Sequence, residues 1–261
     1  SSDILNVTID NLGYIIIGRL YGAVPLGVYT LAYRLPEMLL IGNLWIMASV
    51  TFPAFANIQK ERNNLRLGFL GSIRLVELIA VPICLGLVIA ADPIIRVIFG
   101  DQWVDAIPIL RILALYALVA SMGYHVGDVY KAIGRPDILL NMTLATLAFM
   151  GLSLFAGSRY GLAGIAWAYV AAVSLERVIS LFVASHFIQI SLGEILAQLL
   201  PAMKGGLVMA VITLSVLYLA ANLTPFVQLA LLVLSGVSSY LGILWWTEKE
   251  NILRIARLIG I

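Results

Sequence analysis

The sequence predicts an all-α protein, a polytopic bundle of about eight transmembrane helices. Apolar residues make up 62% of the chain and charged residues 11%, with a mean hydropathy of +1.02. Runs of roughly 20 apolar residues, long enough to span a bilayer as a helix, recur along nearly the whole sequence. A few charged residues lie inside these runs, where facing hydrocarbon is costly, so they are expected to face the bundle interior, water or headgroups.

Breaks in the apolar pattern at charged, glycine and proline residues divide the chain into its elements. The predicted spans are residues 4–21, 25–55, 66–91, 106–130, 137–157, 160–186, 201–221 and 225–246. Residues 92–105 are predicted to form an interfacial turn or short helix. Residues 187–200 are predicted to form a separate short interfacial helix that leads into the seventh span at Pro201. The short connections predict antiparallel neighbours.

The distribution of lysine and arginine between the loops predicts the orientation. One side receives Lys60, Arg62, Arg66, Lys131, Arg135, Lys204, Lys249, Arg254 and Arg257. The other side receives Arg19, Arg96, Arg111 and Arg159, together with the acidic loop residues Asp92, Asp101 and Asp105. By the positive-inside rule the first of these sides is cytoplasmic, so both ends of this chain are predicted to face the cytoplasm.

Several classes of function find no support in the residue types. The single cysteine, Cys84, excludes an internal disulfide and is predicted to be a buried small hydrophobe. The two histidines, His125 and His186, do not form a metal-ligand pattern, and no glycine-rich phosphate loop is present, so no metal or cofactor is predicted. A net charge of +2 without a basic, aromatic-interleaved stripe argues against nucleic acid. No catalytic constellation is evident, and an enzyme is not predicted.

Small residues at four-residue spacing predict closely packed helices. One series is Gly164, Ala168 and Ala172, and another is Gly206 and Ala210. The spacing predicts a tight bundle without identifying a function.

Two charged pairs inside the spans are interpreted first as structural. Arg74 and Glu77 are three residues apart on one helical face and are predicted to pair or to snorkel, although a functional role stays open. Glu176 and Arg177 are adjacent, so their side chains point about 100° apart and are not expected simply to pair with each other.

A further group lies near the cytoplasmic end of the fourth span. His125 is predicted to be a polar core residue rather than a proton relay. Asp128 and Lys131 follow at three-residue spacing, as either a capping pair or part of a cavity rim.

Arg34 is the most informative charge inside a span. It precedes Pro36, which loosens the local helical hydrogen bonding. With Asp10 and Arg19 on the preceding antiparallel helix, Arg34 could line a cavity wall, where a guanidinium suits bidentate binding of phosphate or pyrophosphate. The alternative is a structural ion pair of Arg34 with Asp10 or Glu37.

Five stretches carry a family resemblance. They are residues 9–35 (IDNLGYIIIGRLYGAVPLGVYTLAYRL), 52–59 (FPAFANIQ), 91–115 (ADPIIRVIFGDQWVDAIPILRILAL), 129–140 (VYKAIGRPDILL) and 160–172 (YGLAGIAWAYVAA). In this order and spacing they resemble the C-terminal half of Wzx-type polysaccharide flippases, of the multidrug/oligosaccharidyl-lipid/polysaccharide (MOP) exporter superfamily. The resemblance covers about residues 3–190.

The resemblance implies a MATE-like MOP transporter fold of two six-helix lobes around a central cavity. Residues 1–190 would be the six-helix C-terminal lobe, and residues 191–261 two appended transmembrane helices with a cytoplasmic amphipathic tail. The N-terminal lobe, absent from this chain, would supply the other cavity wall. The chain is accordingly expected to be part of a longer protein.

The resemblance also implies a function. Such proteins move an undecaprenyl-pyrophosphate-linked oligosaccharide across the bacterial cytoplasmic (inner) membrane by alternating access, for O-antigen lipopolysaccharide, exopolysaccharide or capsule export. The implied partners are this lipid-linked oligosaccharide, membrane lipids and the missing lobe. The implied cavity residues are Arg34, Arg19, Asp10 and Asn11. A cytoplasmic gate or headgroup contact is implied for Asp128, Lys131 and Arg135.

Other functions stay open at this point. A multidrug antiporter of the same superfamily would need a carboxylate-rich cation site, whereas this half offers mainly Asp10 in an arginine-rich setting. A membrane-embedded glycan polymerase or ligase generally carries a large extracytoplasmic loop, and the longest outward loop predicted here is the short segment 92–105. The coupling ion is not decided by the sequence.

Overall fold

The computed structural model describes residues 2–44, 46, 47, 51, 53, 55 and 62–259, and every regular element within them is helical. The α-helices are α1 (Ser2–Tyr21), α2 (Ala23–Pro36), α3 (Arg62–Ile89), α4 (Ala91–Ile98), α5 (Ala106–Ser121), α6 (Val126–Ala132), α7 (Pro136–Gly157), α8 (Gly161–Ile188), α9 (Leu192–Leu219) and α10 (Pro225–Ile259). A π-helical turn, Glu37–Ile41, follows α2, and 3-10 turns lie at Asp101–Trp103 and Ser158–Tyr160. The all-α fold class is confirmed.

Five described stretches are long and apolar enough to cross a membrane. They are Asn63–Ile89, Ala106–Ala132, Asp137–Ile188, Leu192–Leu219 and Pro225–Thr247. The third is 52 residues long and contains both α7 and α8. The predicted span 4–21 is present as the helix α1, whose polar residues keep it out of this set. The chain is a multi-pass membrane protein.

The span predicted over residues 106–130 is confirmed as a membrane-crossing stretch, Ala106–Ala132, but it is not one continuous helix. Helix α5 ends at Ser121, and α6 begins only at Val126. Gly123, in the turn between them, has φ of +68°, a conformation that residues with a Cβ rarely adopt. The stretch Ala106–Ala132 as a whole is apolar enough to count as one span, so hydropathy alone could not locate the break.

The prediction of a separate interfacial helix over residues 187–200 is also wrong. Helix α9 begins at Leu192 and continues through Pro201 to Leu219. Its first turn is held by a capping box, in which the Ser191 side chain accepts from the Glu194 N–H and the Glu194 side chain accepts from the Ser191 N–H. Beyond this cap a single proline bends or loosens the helix without ending it.

Of the predicted segments 92–105 and 25–55, the first is confirmed as a short helix and the second is only partly described. The short helix predicted within residues 92–105 is confirmed as α4 and the turn after it. Arg96 at its end pairs with Asp92 at 3.1 Å and Asp101 at 2.5 Å, and these carboxylates raise the pKa of the Arg96 guanidinium. The predicted span 25–55 begins as α2 and the π-helical turn, but much of its second half lies outside the described residues.

The helices pack as hairpins around a common core. Helices α1 and α2 form one antiparallel hairpin, in which Tyr14 packs against Tyr29 with ring centroids 5.6 Å apart. In the α7–α8 hairpin, Gly157 and Gly164 lie so close that a Cβ on either would meet the other's carbonyl oxygen. The predicted close packing of small residues is confirmed there.

The last two helices, α9 and α10, pack on α3. Arg66 on α3 pairs with Glu194, and Gly206 lies against Val81, so α3 and α9 run parallel. A Cβ on Gly206 would come within 2.5 Å of Val81 Cγ1, which confirms the close approach predicted at this glycine.

Candidate functional site

The α1–α2 hairpin fixes the relative heights of the predicted cavity residues. Tyr14 packs against both Tyr29 and Tyr33, at 5.6 and 6.1 Å between ring centroids. This register places Arg34 level with residues 10 and 11 on α1. Arg19 lies near the hairpin turn, and a rise of 1.5 Å per residue puts it about 13 Å from Arg34 along the hairpin. The two arginines therefore do not meet at one point.

Arg34 projects from the face of α2 opposite its core. The buried residues Val28, Ala32 and Leu35 lie on one side of the helix, and a rotation of 100° per residue places Arg34 on the other. Its side chain is exposed and makes no ion pair with any described residue, so the predicted structural pair with Glu37 is not formed. The Asp10 side chain lies outside the described part of the chain.

A corresponding exposed stripe follows α1. Asn11, Ile15 and Arg19 recur at four-residue spacing on the face opposite the buried Ile9 and Ile17. Asn11 and Arg19, both predicted cavity residues, are therefore on one exposed face, at the two ends of the stripe.

Of the predicted gate or headgroup residues, Asp128 and Lys131 lie together and Arg135 does not. Asp128 is 7% exposed and lies 3.4 Å from His125 Nδ1 and 3.5 Å from Lys131 Nζ, which confirms the Asp128–Lys131 pair. Arg135 is engaged elsewhere, with Asp137 at 2.9 Å and over the ring of Phe187. His125 is 2% exposed, which confirms it as a core residue.

Glu77 on α3 and the pair Glu176–Arg177 on α8 make contacts that the sequence did not predict. Glu77 is 1% exposed and accepts a hydrogen bond from Ser121 Oγ at 3.0 Å. Its other oxygen, Oε2, is buried without a hydrogen-bond partner among the described residues. Contrary to prediction, Glu176 and Arg177 do pair, with Arg177 Nε 3.3 Å from Glu176 Oε2.

A chain of tyrosine rings, unrecognised in the sequence, joins four helices of the core. Its members are Tyr14 on α1, Tyr29 and Tyr33 on α2, Tyr116 on α5 and Tyr169 on α8. The spacing of Tyr29 and Tyr33, four residues apart on one helical face, is the signal that could have indicated part of it.

An apolar groove with few polar groups is lined by described residues of several helices. Its volume is about 560 Å³, and its walls come from the π-helical turn and from α3, α4, α9 and α10. Leu39, Gly86, Met209 and Gly236 lie along it, with Thr213 and Tyr240 as its polar members. A groove of this size and composition fits a ligand with a long apolar part. Sequence patterns did not indicate it, since its walls come from distant segments.

The chain is similar in sequence to proteins of polysaccharide biosynthesis. Residues 1–108 match the model of a family described as polysaccharide biosynthesis protein. The chain is 30% identical to the teichuronic acid biosynthesis protein TuaB of Bacillus subtilis over 99% of its own length and 55% of that protein's. It is 29% identical to the lipopolysaccharide biosynthesis protein WzxC of Escherichia coli over 70% of its own length and 37% of that protein's. The chain thus spans about half or less of these relatives.

The fold also matches a solved structure. The lipid II flippase MurJ, in an inward closed conformation, superposes with a TM-score of 0.68 over 95% of this chain and 53% of MurJ, at 18% identity. The chain therefore shares the helical fold of MurJ over nearly its whole length. It is similar to TuaB over nearly its whole length, and the predicted resemblance to Wzx-type polysaccharide flippases is confirmed.

Proposed function

We propose that this chain forms the C-terminal lobe, residues 1–190, and two appended helices, residues 191–261, of a lipid-linked oligosaccharide flippase. The substrate is an oligosaccharide on undecaprenyl pyrophosphate, moved across the bacterial cytoplasmic membrane by alternating access. An N-terminal lobe supplies the opposite wall of the cavity, and both ends of this chain face the cytoplasm. The names of TuaB and WzxC, which refer to teichuronic acid and lipopolysaccharide biosynthesis, support export of a surface glycan.

The proximity of Arg34 to the apolar groove carries this proposal. Leu39 lines the groove and lies five residues beyond Arg34, on the π-helical turn that follows α2. Five residues of helix rise about 7 Å along the axis and turn the side chain by about 140°, so the exposed cation and the groove-lining Leu39 lie at neighbouring heights on different faces of one helical segment. A polyprenyl pyrophosphate combines an anionic headgroup with an apolar tail, and the two features match its two parts.

The cavity residues then take separate roles. Arg34 binds the pyrophosphate through its guanidinium, which suits bidentate contact with phosphate oxygens. Asn11, at the same height on α1, contacts the first sugar together with Asp10. Arg19, about 13 Å away along the hairpin, contacts a more distant part of the glycan or the opening of the cavity.

The cytoplasmic residues act at the membrane surface. Asp128 is buried between two cationic or ionisable partners, so it positions them rather than binding substrate itself. The Lys131 side chain is 47% exposed and contacts a lipid headgroup in this proposal. Arg135, held by Asp137, contacts headgroups separately, from the residue before α7.

Native mass spectrometry of the full-length protein tests the proposal. Wild type is expected to retain a polyprenyl-pyrophosphate glycan, Arg34→Ala to lose most of it, and Arg34→Lys to retain an intermediate amount. Arg111→Ala is the matched control, because Arg111 is another exposed arginine within a span. Equal retention in Arg34→Ala and Arg111→Ala would remove the pyrophosphate role of Arg34, and absence of lipid-linked glycan in wild type would refute the substrate.

A further inference from the structure

A buried carboxyl group near the middle of α3 has no role in the substrate site. Glu77 is 1% exposed and lies within the membrane-spanning stretch Asn63–Ile89. An ionisable side chain at such depth is costly and is commonly found on ion or proton pathways.

The hydrogen bonding of Glu77 is incomplete. Oε1 accepts from Ser121 Oγ at 3.0 Å, while Oε2 is buried and has no hydrogen-bond partner among the described residues. Ser121 Oγ also lies 2.7 Å from the Leu118 carbonyl oxygen, so its single proton is shared between two acceptors. A carboxylate in this setting lacks the donors that a buried negative charge requires, so the packed arrangement favours the neutral acid.

None of the ionisable groups around Glu77 in the described part of the chain donates a hydrogen bond to its Oε2 atom. On α3 itself, Arg74 lies one turn before Glu77 and Cys84 two turns after it. On α10, Tyr240 uses its hydroxyl to donate to the Leu78 carbonyl oxygen. Lys204 on α9 is exposed.

The ionisable side chains on the other helices that pack against α3 are exposed or already form ion pairs. Arg111 on α5 and Glu37 on the π-helical turn are exposed, and Asp92 on α4 pairs with Arg96. On α8, Glu176 and Arg177 pair with each other. A metal ion is not favoured, because no group of three or more His, Cys, Asp or Glu side chains in the described part of the chain could hold one.

We propose that Glu77 is a proton-binding site that takes up and releases one proton in each transport cycle. The inference rests on the proposed flippase function. In the packed state the carboxyl is protonated. When the α3–α5 contact opens and water enters, the acid transfers its proton to water and leaves a hydrated carboxylate. Proton occupancy at Glu77 therefore favours one arrangement of the lobe over the other.

The position of Ser121 explains how opening reaches Glu77. Ser121 is the last residue of α5, immediately before the turn that contains Gly123. Movement of the last turn of α5 together with this turn removes the Glu77 donor without disrupting the body of α5. Leu78 and Ile79, the next residues of α3, line the apolar groove, so occupation of the groove and protonation of Glu77 act on the same turn of helix.

A line of ionisable side chains leads from this turn toward the surface. His125 is 2% exposed, and its Nε2 has no hydrogen-bond partner within the described residues. His125 Nδ1 lies 3.4 Å from Asp128, which lies 3.5 Å from the half-exposed Lys131. Asp128 thus joins a buried imidazole to a half-exposed ammonium group on the opposite side of the α5–α6 turn from Ser121.

Infrared titration of the full-length protein tests the site independently of transport. Wild type is expected to show a protonated-carboxyl C=O band at neutral pH that is lost in Glu77→Gln and shifted in Ser121→Ala. Asp105→Asn, which alters an exposed carboxylate in a loop, is expected to leave the band unchanged. Absence of such a band in wild type, or its persistence in Glu77→Gln, would overturn the proposal.

Transport by the same variants tests the coupling. In proteoliposomes containing a fluorescent polyprenyl-pyrophosphate glycan, a gradient of one pH unit biases a step coupled to one proton by about tenfold. Glu77→Gln retains an acceptor for Ser121 Oγ but cannot ionise, so it is expected to bind the probe and lose this pH response. A full pH response in Glu77→Gln would refute coupling at Glu77, whereas failure of wild type to bind or move the probe would refute the flippase proposal.

Discussion

The hydroxyl group of Tyr169 on α8 is inserted into the backbone of α1 at Gly13. It accepts a hydrogen bond from the Gly13 N–H at 3.0 Å and donates to the Ile9 carbonyl oxygen at 3.3 Å. This N–H and this C=O are the pair that an uninterrupted α-helix joins directly. A Cβ at position 13 would lie 2.7 Å from Tyr169 Cε2, so only glycine permits the approach. Helix α8 thereby fixes the turn of α1 that carries Asn11.

Removing the contact tests how strongly it positions α1. Tyr169→Phe is expected to lower the free energy of unfolding by about 1 kcal/mol, because the hydroxyl contacts with Gly13 and Ile9 are lost. Gly13→Ala is expected to cost about 1–3 kcal/mol, because the added methyl group clashes with a ring packed in the core. The measurement is the thermal unfolding midpoint of the full-length protein in detergent.

A matched glycine separates the clash from a general effect of alanine. Gly71 on α3 has no atom within 4 Å of where its Cβ would lie, so Gly71→Ala is expected to be neutral or slightly stabilising. If Gly13→Ala unfolds at the same temperature as Gly71→Ala, the contact with Tyr169 does not constrain α1.

The α7–α8 hairpin is expected to be even less tolerant of a methyl group. A Cβ on Gly157 would meet the Gly164 carbonyl oxygen, and a Cβ on Gly164 would meet the Gly157 carbonyl oxygen. Because backbone atoms cannot rotate away, Gly157→Ala and Gly164→Ala are each expected to separate the helices and reduce the yield of monodisperse protein in size-exclusion chromatography. Gly151→Ala on α7, with open space at its Cβ, should give wild-type yield. Wild-type yield from both hairpin variants would contradict this packing.

Glu194 joins the first turn of α9 to α3 and also caps α9. It accepts from the Ser191 N–H and pairs with Arg66, and both members of the ion pair are about one-third exposed. A double-mutant cycle of Arg66→Met and Glu194→Gln is therefore expected to give a coupling of about 0.5 kcal/mol, the range of partly solvated pairs. Ser191→Ala should cost about 1 kcal/mol through the lost cap. Zero coupling in the cycle would show that the ion pair does not attach α9 to α3.

The elements that sequence analysis located correctly are those that depend on local composition. Spans such as α3 and α10 follow from hydropathy. The break at Gly123 was missed because the whole stretch Ala106–Ala132 is apolar enough to be taken for one span. At Pro201 the error was the reverse: a helix boundary was predicted, but the helix continues, since a proline can be accommodated within a long helix.

The contacts that build the candidate site required the fold. The Tyr169–Gly13 hydrogen bond joins residues 156 positions apart, and the groove draws its walls from the π-helical turn and four helices. Neither leaves a periodic signal in the sequence. The incomplete hydrogen bonding of Glu77 likewise depends on the end of α5 at Ser121, which the pattern did not indicate.

Filling the groove tests whether it holds the polyprenyl tail. Gly86 on α3 lines the groove, and a Cβ there would meet only Met209 Cε, at 4.0 Å, so Gly86→Leu projects into the groove rather than into packed core. Each buried methylene contributes about 0.8 kcal/mol, so displacing two from the groove is expected to weaken lipid binding by about tenfold. Native mass spectrometry of the full-length protein with added polyprenyl phosphate measures this loss. Gly71→Leu, on the same helix outside the groove, is the control for folding, and equal lipid retention in both variants would place the tail elsewhere.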